Sequence, residues 1–212
     1  SNAQQQKEVA FSIQGSALTW FEIGNPTVQG MLSVTGLPNG FDGNGLAYDA
    51  GTNRLLFVGG PSAVNHNMFS VSLEDVMLKA GESVDAGGAT NVGVLTFSGA
   101  QELFGGGFYD GSYYTLINGT DKLVKVDFDS SGNILQRSNI DLFPGNDVEM
   151  YLGDLAFGSD GSLRISGAID QNVNATNDRL WRFSTTDGVS FVNEGTLSPA
   201  GVRVPSLTND TP

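Results

Sequence analysis

The sequence predicts an all-β fold, a β-propeller of four four-stranded blades closed by N- and C-terminal strands in one blade. Three observations carry this. A strand with strict apolar–polar alternation recurs four times, starting at Leu18, Met68, Leu123 and Leu180, and such alternation marks a half-buried strand. The intervals are 50, 55 and 57 residues, a little above the ~40–50 of propeller repeats. Glycine accounts for 29 of 212 residues, about twice its usual ~7% share, as many tight turns demand. A five-bladed ring or a partial solenoid is the alternative.

Each unit begins with a small-residue step into an aromatic: Gly45-Leu-Ala-Tyr-Asp49, Gly106-Gly-Phe-Tyr-Asp110 and Asp154-Leu-Ala-Phe-Gly158. A polar turn and an apolar second strand follow at Arg54–Gly60, Ser112–Ile117 and Ser162–Gly167. The alternating strand comes third, and the fourth lies at Met31–Val34, Val92–Phe97, Ile134–Ile140 and Phe191–Leu197. The unit is thus a four-stranded meander, the pattern of a propeller blade. In the first copy Val9–Ile13 serves as second strand, and Val202–Leu207 of the tail is the candidate for its innermost strand. Closing a ring in this way removes exposed edges, although Pro205 fits only where no ladder N–H is needed. Ser72 with Asp75 three residues on, then Lys79 and Gly81, predicts a short helix between the third and fourth strands of the second blade.

Ser1-Asn2-Ala3 reads as the remnant of tag cleavage. Residues 1–8 are expected to be a disordered lead-in and 9–212 a single domain. With 10 Lys+Arg against 23 Asp+Glu the net charge is −13. That opposes binding to nucleic acid or to an anionic membrane surface. No apolar run approaches the ~20 residues of a membrane helix, so no membrane insertion is expected. The absence of Cys excludes disulfides and Cys-type zinc sites. Few Lys, many Asn, Gly, Ser and Thr, and the acidic balance suggest an exported bacterial protein: secreted, periplasmic or at the cell surface. Three glycosylation-type sequons, at Asn118, Asn174 and Asn209, carry little weight in an Asn-rich chain.

The stretch Gly45–Asp49 with Asn53-Arg-Leu-Leu-Phe-Val58, followed by a short alternating strand, resembles secreted bacterial β-propeller repeat proteins of the TolB-like and lactonase-like kind. The resemblance covers most of the chain and implies the fold, not one function. Lactonase-like propellers hold a metal with Glu, Asn and Asp at the inner ends of their blades. No such set matches residue by residue here.

In a propeller the inter-blade loops and the loops joining second to third strands crowd one axial face. These loops carry eight acids, nine Asn and no Lys or Arg. Such a face repels anionic ligands. The candidate ligand-binding residues are Asp42, Asn44, Asn65, His66, Asn146, Asp147, Glu149 and Asp154. Of these Asp42, Asp147, Glu149 and Asp154 are hard oxygen donors suited to calcium, which takes six to eight oxygens. Asp, Asn and Gly also dominate ordinary turns. Asp127-Phe-Asp129-Ser-Ser131-Gly-Asn133 resembles an EF-hand start, but its twelfth position is Ser138 and not Glu, so a hairpin turn is expected. His66 is the sole histidine, no Gly-x-Ser-x-Gly elbow exists, and Gly105–Gly107 lacks the helix and Lys of a phosphate loop. Trp20 and Trp181, at similar places in the repeat, are expected in blade packing, as are Tyr109, Tyr113, Tyr114 and Tyr151. The composition and motifs favour a non-catalytic binding module for protein or glycan. The alternative is a metal-assisted hydrolase or lyase on the same face.

Overall fold

The computed structural model describes residues 8–60, 63–172 and 177–197. They form sixteen strands. In chain order these are β1 (Val9–Gln14), β2 (Ala17–Glu22), β3 (Asn25–Thr35), β4 (Asn44–Asp49), β5 (Arg54–Gly59), β6 (Asn65–Ser72), β7 (Ser83–Gly88) and β8 (Thr90–Thr96). The second half contains β9 (Leu103–Tyr109), β10 (Ser112–Ile117), β11 (Lys122–Phe128), β12 (Ile134–Asp141), β13 (Tyr151–Phe157), β14 (Ser162–Ala168), β15 (Asp178–Ser184) and β16 (Val192–Leu197). They pair into four four-stranded sheets: β1-β2-β3-β7, β4-β5-β6-β8, β9-β10-β11-β12 and β13-β14-β15-β16.

The meander follows from alternation. In β5, Leu55 and Phe57 join a cluster with Trp20 of blade 1, whereas Leu56 and Val58 join one with Tyr113 of blade 3. In β10 the same split sends Tyr113 back to blade 2 and Tyr114 forward to Phe157 and Trp181 of blade 4. Successive side chains of a strand point to opposite faces, so a strand apolar at every position is buried between two neighbours. Three apolar clusters therefore join four successive blades. Among the described residues no fourth cluster joins blade 4 to blade 1. There Arg164 and Arg182, paired across β14 and β15, are exposed.

Residues 72–81 differ from the sequence expectation. No helix forms there, because Asp75 has φ 65° and a helix cannot continue through the left-handed region. The Ser72 hydroxyl accepts the Glu74 N–H at 3.2 Å, a local turn in place of a helix cap. The segment runs on to β7, which pairs in parallel with β3 at the outer edge of blade 1, and the chain then returns to complete blade 2 with β8. The count of sixteen thus includes β7, which the sequence did not suggest. The tail strand expected at 202–207 lies outside the described residues.

In β1 the hydrogen-bond register leaves the N–H and C=O of Val9, Phe11 and Ile13 pointing away from β2, since Glu8 and Ile23 form a bonded pair and pairs alternate from there. Among the described residues no strand pairs with that edge. It is tied only at its end, where the Gly43 N–H donates to Gly15 C=O at 2.8 Å.

Candidate functional site

The first strands of blades 2, 3 and 4 lie side by side, and each contains a bulge at the same place. Gly45 and Leu46 stand opposite one residue of β5, Gly105 and Gly106 opposite one of β10, and residues 152–153 opposite one of β14. The first bulge residue has positive φ in every case: Gly45 64°, Gly105 66° and Leu152 32°. Glycine suits that position in a bulge. It is required in blades 2 and 3 for space as well. A Cβ on Gly45 would come within 2.3 Å of the Tyr113 hydroxyl, and one on Gly105 within 2.9 Å of the Leu155 nitrogen.

Polar side chains fasten these bulges to the neighbouring blade. Asn44 donates to Leu103 C=O at 3.0 Å and accepts the Gly45 N–H at 2.7 Å. Tyr113, fully buried, donates to Gly45 C=O at 2.7 Å, and burial raises its hydroxyl pKa. Asn118 donates to Glu102 Oε2 at 3.0 Å and accepts the Leu152 N–H at 3.0 Å. His66 Nε2 lies 2.9 Å from Gln101 C=O and 3.2 Å from Ala63 C=O. Two carbonyl acceptors assign the proton to Nε2.

Several of these residues line an open cleft of about 390 Å³ at one end of blades 2 to 4, within the range of ligand pockets. Asp42, Asn44, His66, Glu102, Asn118 and Leu152 line it, over a floor that includes Val58 and Phe104. Among the described residues no Lys or Arg lines it. Asp42, Glu102 and Leu152 are exposed, the last at 50%. Phe41 packs edge-on against Phe57 and Phe69, at 5.8 and 5.3 Å between ring centroids, and so anchors the loop that presents Asp42.

Asn146 and Asp147 line a second cavity, of about 410 Å³, with Asp121 and Lys122. Lys122 Nζ lies 2.8 Å from Asp121 and 3.1 Å from Asp141. Burial pushes the Asp121 carboxyl up, while hydrogen bonds from Asp121 and Lys122 hold Asp141 down. Among the described residues, then, the second cavity carries a basic side chain, Lys122, at the first position of β11, and the first carries none. Asn65 accepts the Thr96 hydroxyl at 2.9 Å. Glu149 accepts the Tyr151 hydroxyl at 2.7 Å. Asp154 Oδ1 accepts the Leu155 N–H at 2.8 Å.

The eight candidates are thus divided, with Asp42, Asn44 and His66 in one cavity and Asn146 and Asp147 in another. Among the described residues no group of three or more His, Asp or Glu side chains is placed to hold a metal ion. Asp42, Asp147, Glu149 and Asp154 accordingly do not come together as such a group. Asp127 is engaged as well. Burial raises its carboxyl pKa, but the bonds from Lys125, Ser112 and Gln136 outweigh this and hold it at about 2. The turn after it is a hairpin, with Asp129 Oδ1 accepting the Ser131 and Asn133 N–H groups.

Glu102, Asn118 and Leu152 reach the site without having been singled out in the sequence. Glu102 and Asn118 were legible only as members of an acid- and Asn-rich face. Leu152 has no local signal, because its role depends on the bulge register.

No family model matches the chain, and no curated protein matches it. Solved structures resemble it in fold. A protein from Lactobacillus plantarum has a TM-score of 0.51 at 11% identity over 92% of this chain and 53% of its own. A chain of a nidogen/laminin complex has a TM-score of 0.51 at 13% identity over 90% and 62%. A β-propeller domain from Myceliophteria thermophila has a TM-score of 0.46 at 10% identity over 91% and 56%. The present chain spans between half and two thirds of the length of these structures. At these identities the likeness is one of fold alone, four successive four-stranded sheets of the β-propeller kind.

Proposed function

We propose that the chain is a non-catalytic binding module that takes a segment of another protein at the axial cavity between blades 2, 3 and 4. One observation carries this. The cavity offers exposed carboxylates and an apolar floor, while the Asn44 and Asn118 side chains and His66 Nε2 are already engaged in holding blades together. A glycan would call for an exposed aromatic platform, and the lining ring Phe104 is buried. The test presents short displayed peptides and a glycan array to the full chain and to Ala63→Trp, which fills the cavity. Peptides that bind the wild type and lose about tenfold in affinity with Ala63→Trp are expected. Binding equal in both proteins would move the site elsewhere, and glycan binding at the cavity would replace the protein ligand.

The proposal includes a closed ring of four blades, in which Val202–Leu207 adds to the unpaired edge of β1. Its support is the set of unpaired groups on Val9, Phe11 and Ile13 and the alternation of Val202 and Val204. Amide exchange at Val9, Phe11 and Ile13 should be slow in the full chain and fast once residues 201–212 are removed. Equal exchange rates in both would reject closure by this strand. Acidic, Lys-poor composition further supports an exported protein.

A further inference from the structure

We infer that Asn39-Gly40 is a self-modification site, at which the chain converts its own asparagine to aspartyl and isoaspartyl products. The fold protects the other two Asn-Gly pairs, Asn44-Gly45 and Asn118-Gly119, from the same reaction. The chemistry is intramolecular. The Gly40 backbone nitrogen bonds to Cγ of Asn39, the Cγ–Nδ2 bond breaks, and the Gly40 amide proton leaves with Nδ2 as ammonia. A cyclic succinimide results, and water opens it at either carbonyl. Release of the nitrogen from Cγ restores the ordinary main chain with an aspartyl side chain. Release from the main-chain carbonyl carbon leaves an isoaspartyl linkage, which routes the main chain through the former side chain. Glycine in second place favours the attack, because no Cβ crowds the nitrogen.

The reaction needs a carboxamide free to rotate and a following nitrogen that is open. Asn39 is exposed, and among the described residues its side chain makes no hydrogen bond. Gly40 has φ 71°, with nothing within 4 Å of where a Cβ would lie. Among the described residues one backbone bond closes the turn, from the Phe41 N–H to Pro38 C=O at 3.1 Å. The other two pairs are held. The Asn44 carboxamide donates to Leu103 C=O at 3.0 Å and accepts the Gly45 N–H at 2.7 Å, so the nitrogen that would attack is already donating. Asn118 is held at both ends by Glu102 and the Leu152 N–H, and the Gly119 N–H donates to Met150 C=O at 2.7 Å. Rotating either of these side chains breaks two hydrogen bonds, which slows the reaction by about tenfold or more. The open pair lies in the loop that Phe41 anchors and that presents Asp42. Conversion adds a negative charge to this loop, and the isoaspartyl form lengthens the main chain by a methylene just before the anchor.

The test incubates the full chain at mildly alkaline pH and follows all three pairs by peptide mapping and mass spectrometry. Asn39 is expected to convert about tenfold faster than Asn44 and Asn118, or more, with isoaspartyl peptides resolved from aspartyl ones by chromatography. In guanidinium chloride at the same pH the three rates should come together, since the fold no longer holds Asn44 and Asn118. Equal rates in the folded chain, no conversion at Asn39, or a gap that persists after unfolding would each overturn the inference. The isoaspartyl fraction should melt below Asn39→Asp, which has the added charge on an ordinary main chain. Equal melting of the two would overturn the effect on the Phe41 anchor.

Discussion

Gly106→Ala is expected to lower Tm by roughly 10 °C. A Cβ at this position would sit 2.1 Å from the carbonyl oxygen and 2.2 Å from the carbonyl carbon of Gly45. Both belong to backbone, so no side-chain rotation relieves the contact. Blades 2 and 3 would have to separate at the axis. Overpacking a tight core typically costs about 1–3 kcal/mol, and a site clamped by backbone belongs at the upper end. In a domain of this size each kcal/mol shifts Tm by about 2–4 °C. Gly24→Ala is the control, because nothing lies within 4 Å of a Cβ there and its φ is ordinary. Thermal melts of the two variants check the claim. Equal Tm values would mean that the axial strands are not in the contact described. The same separation would pull Asn44 from Leu103 and open the cavity, so peptide binding should fall with stability.

Phe57→Ala is expected to cost about 3–5 kcal/mol, or of the order of 10–15 °C in Tm. Phe57 is fully buried, stacks with Phe69 at 6.3 Å, and meets Phe41 edge-on. Its removal leaves a void between blades 1 and 2 that rigid backbone on both sides cannot close. The effect should also reach the site, since Phe41 immediately precedes Asp42. Phe57→Leu restores most of the volume and should recover more than half of the loss in Tm. Calorimetry of the pair, with peptide binding measured below both transitions, separates packing from ligand contact.

The positions of most strands were legible because a half-buried strand and a doubly buried strand have different patterns, and each blade contains both. Ser112-Tyr-Tyr-Thr-Leu-Ile117 reads as sandwiched, and Leu123-Val-Lys-Val-Asp-Phe128 as facing water on part of one side; both are so in the structure. The segment after β6 carries two competing signals. The Ser72 and Asp75 spacing imitates a helix cap, yet Val76 and Leu78 pack inward while Met77 is 75% exposed. That is two-residue alternation, and it was the better signal. A strand such as Ser83-Val-Asp-Ala-Gly-Gly88 has too few apolar positions to declare a partner, least of all a parallel one from another blade.

The site was less legible than the fold. Aligning the repeats by their aromatic steps sets Asp154 beside Gly45, whereas the bulge register sets Leu152 there. A shift of this kind changes which side chain meets the axis, and it is decided by backbone pairing alone. Asn44 and His66 were found as candidates because they are polar and near the axis. Their hydrogen bonds to Leu103 and Gln101 C=O account for that position without a ligand. Polar type and location do not distinguish a residue that holds two blades together from one that awaits a partner.

The transfer of β7 onto β3 has a consequence for how the molecule assembles. The first sheet gains its outer strand from residues 83–88, which lie between the third and fourth strands of the second. During synthesis the first sheet is finished only when β7 has emerged, after three strands of the second, and the second only with β8, so the two are expected to form as one cooperative unit. The third and fourth sheets are each built from consecutive sequence and are free to form and open singly. Under mild denaturant, amide protons of the first two sheets should therefore be lost together, in a single sub-global opening, while those of the last two are lost in separate steps.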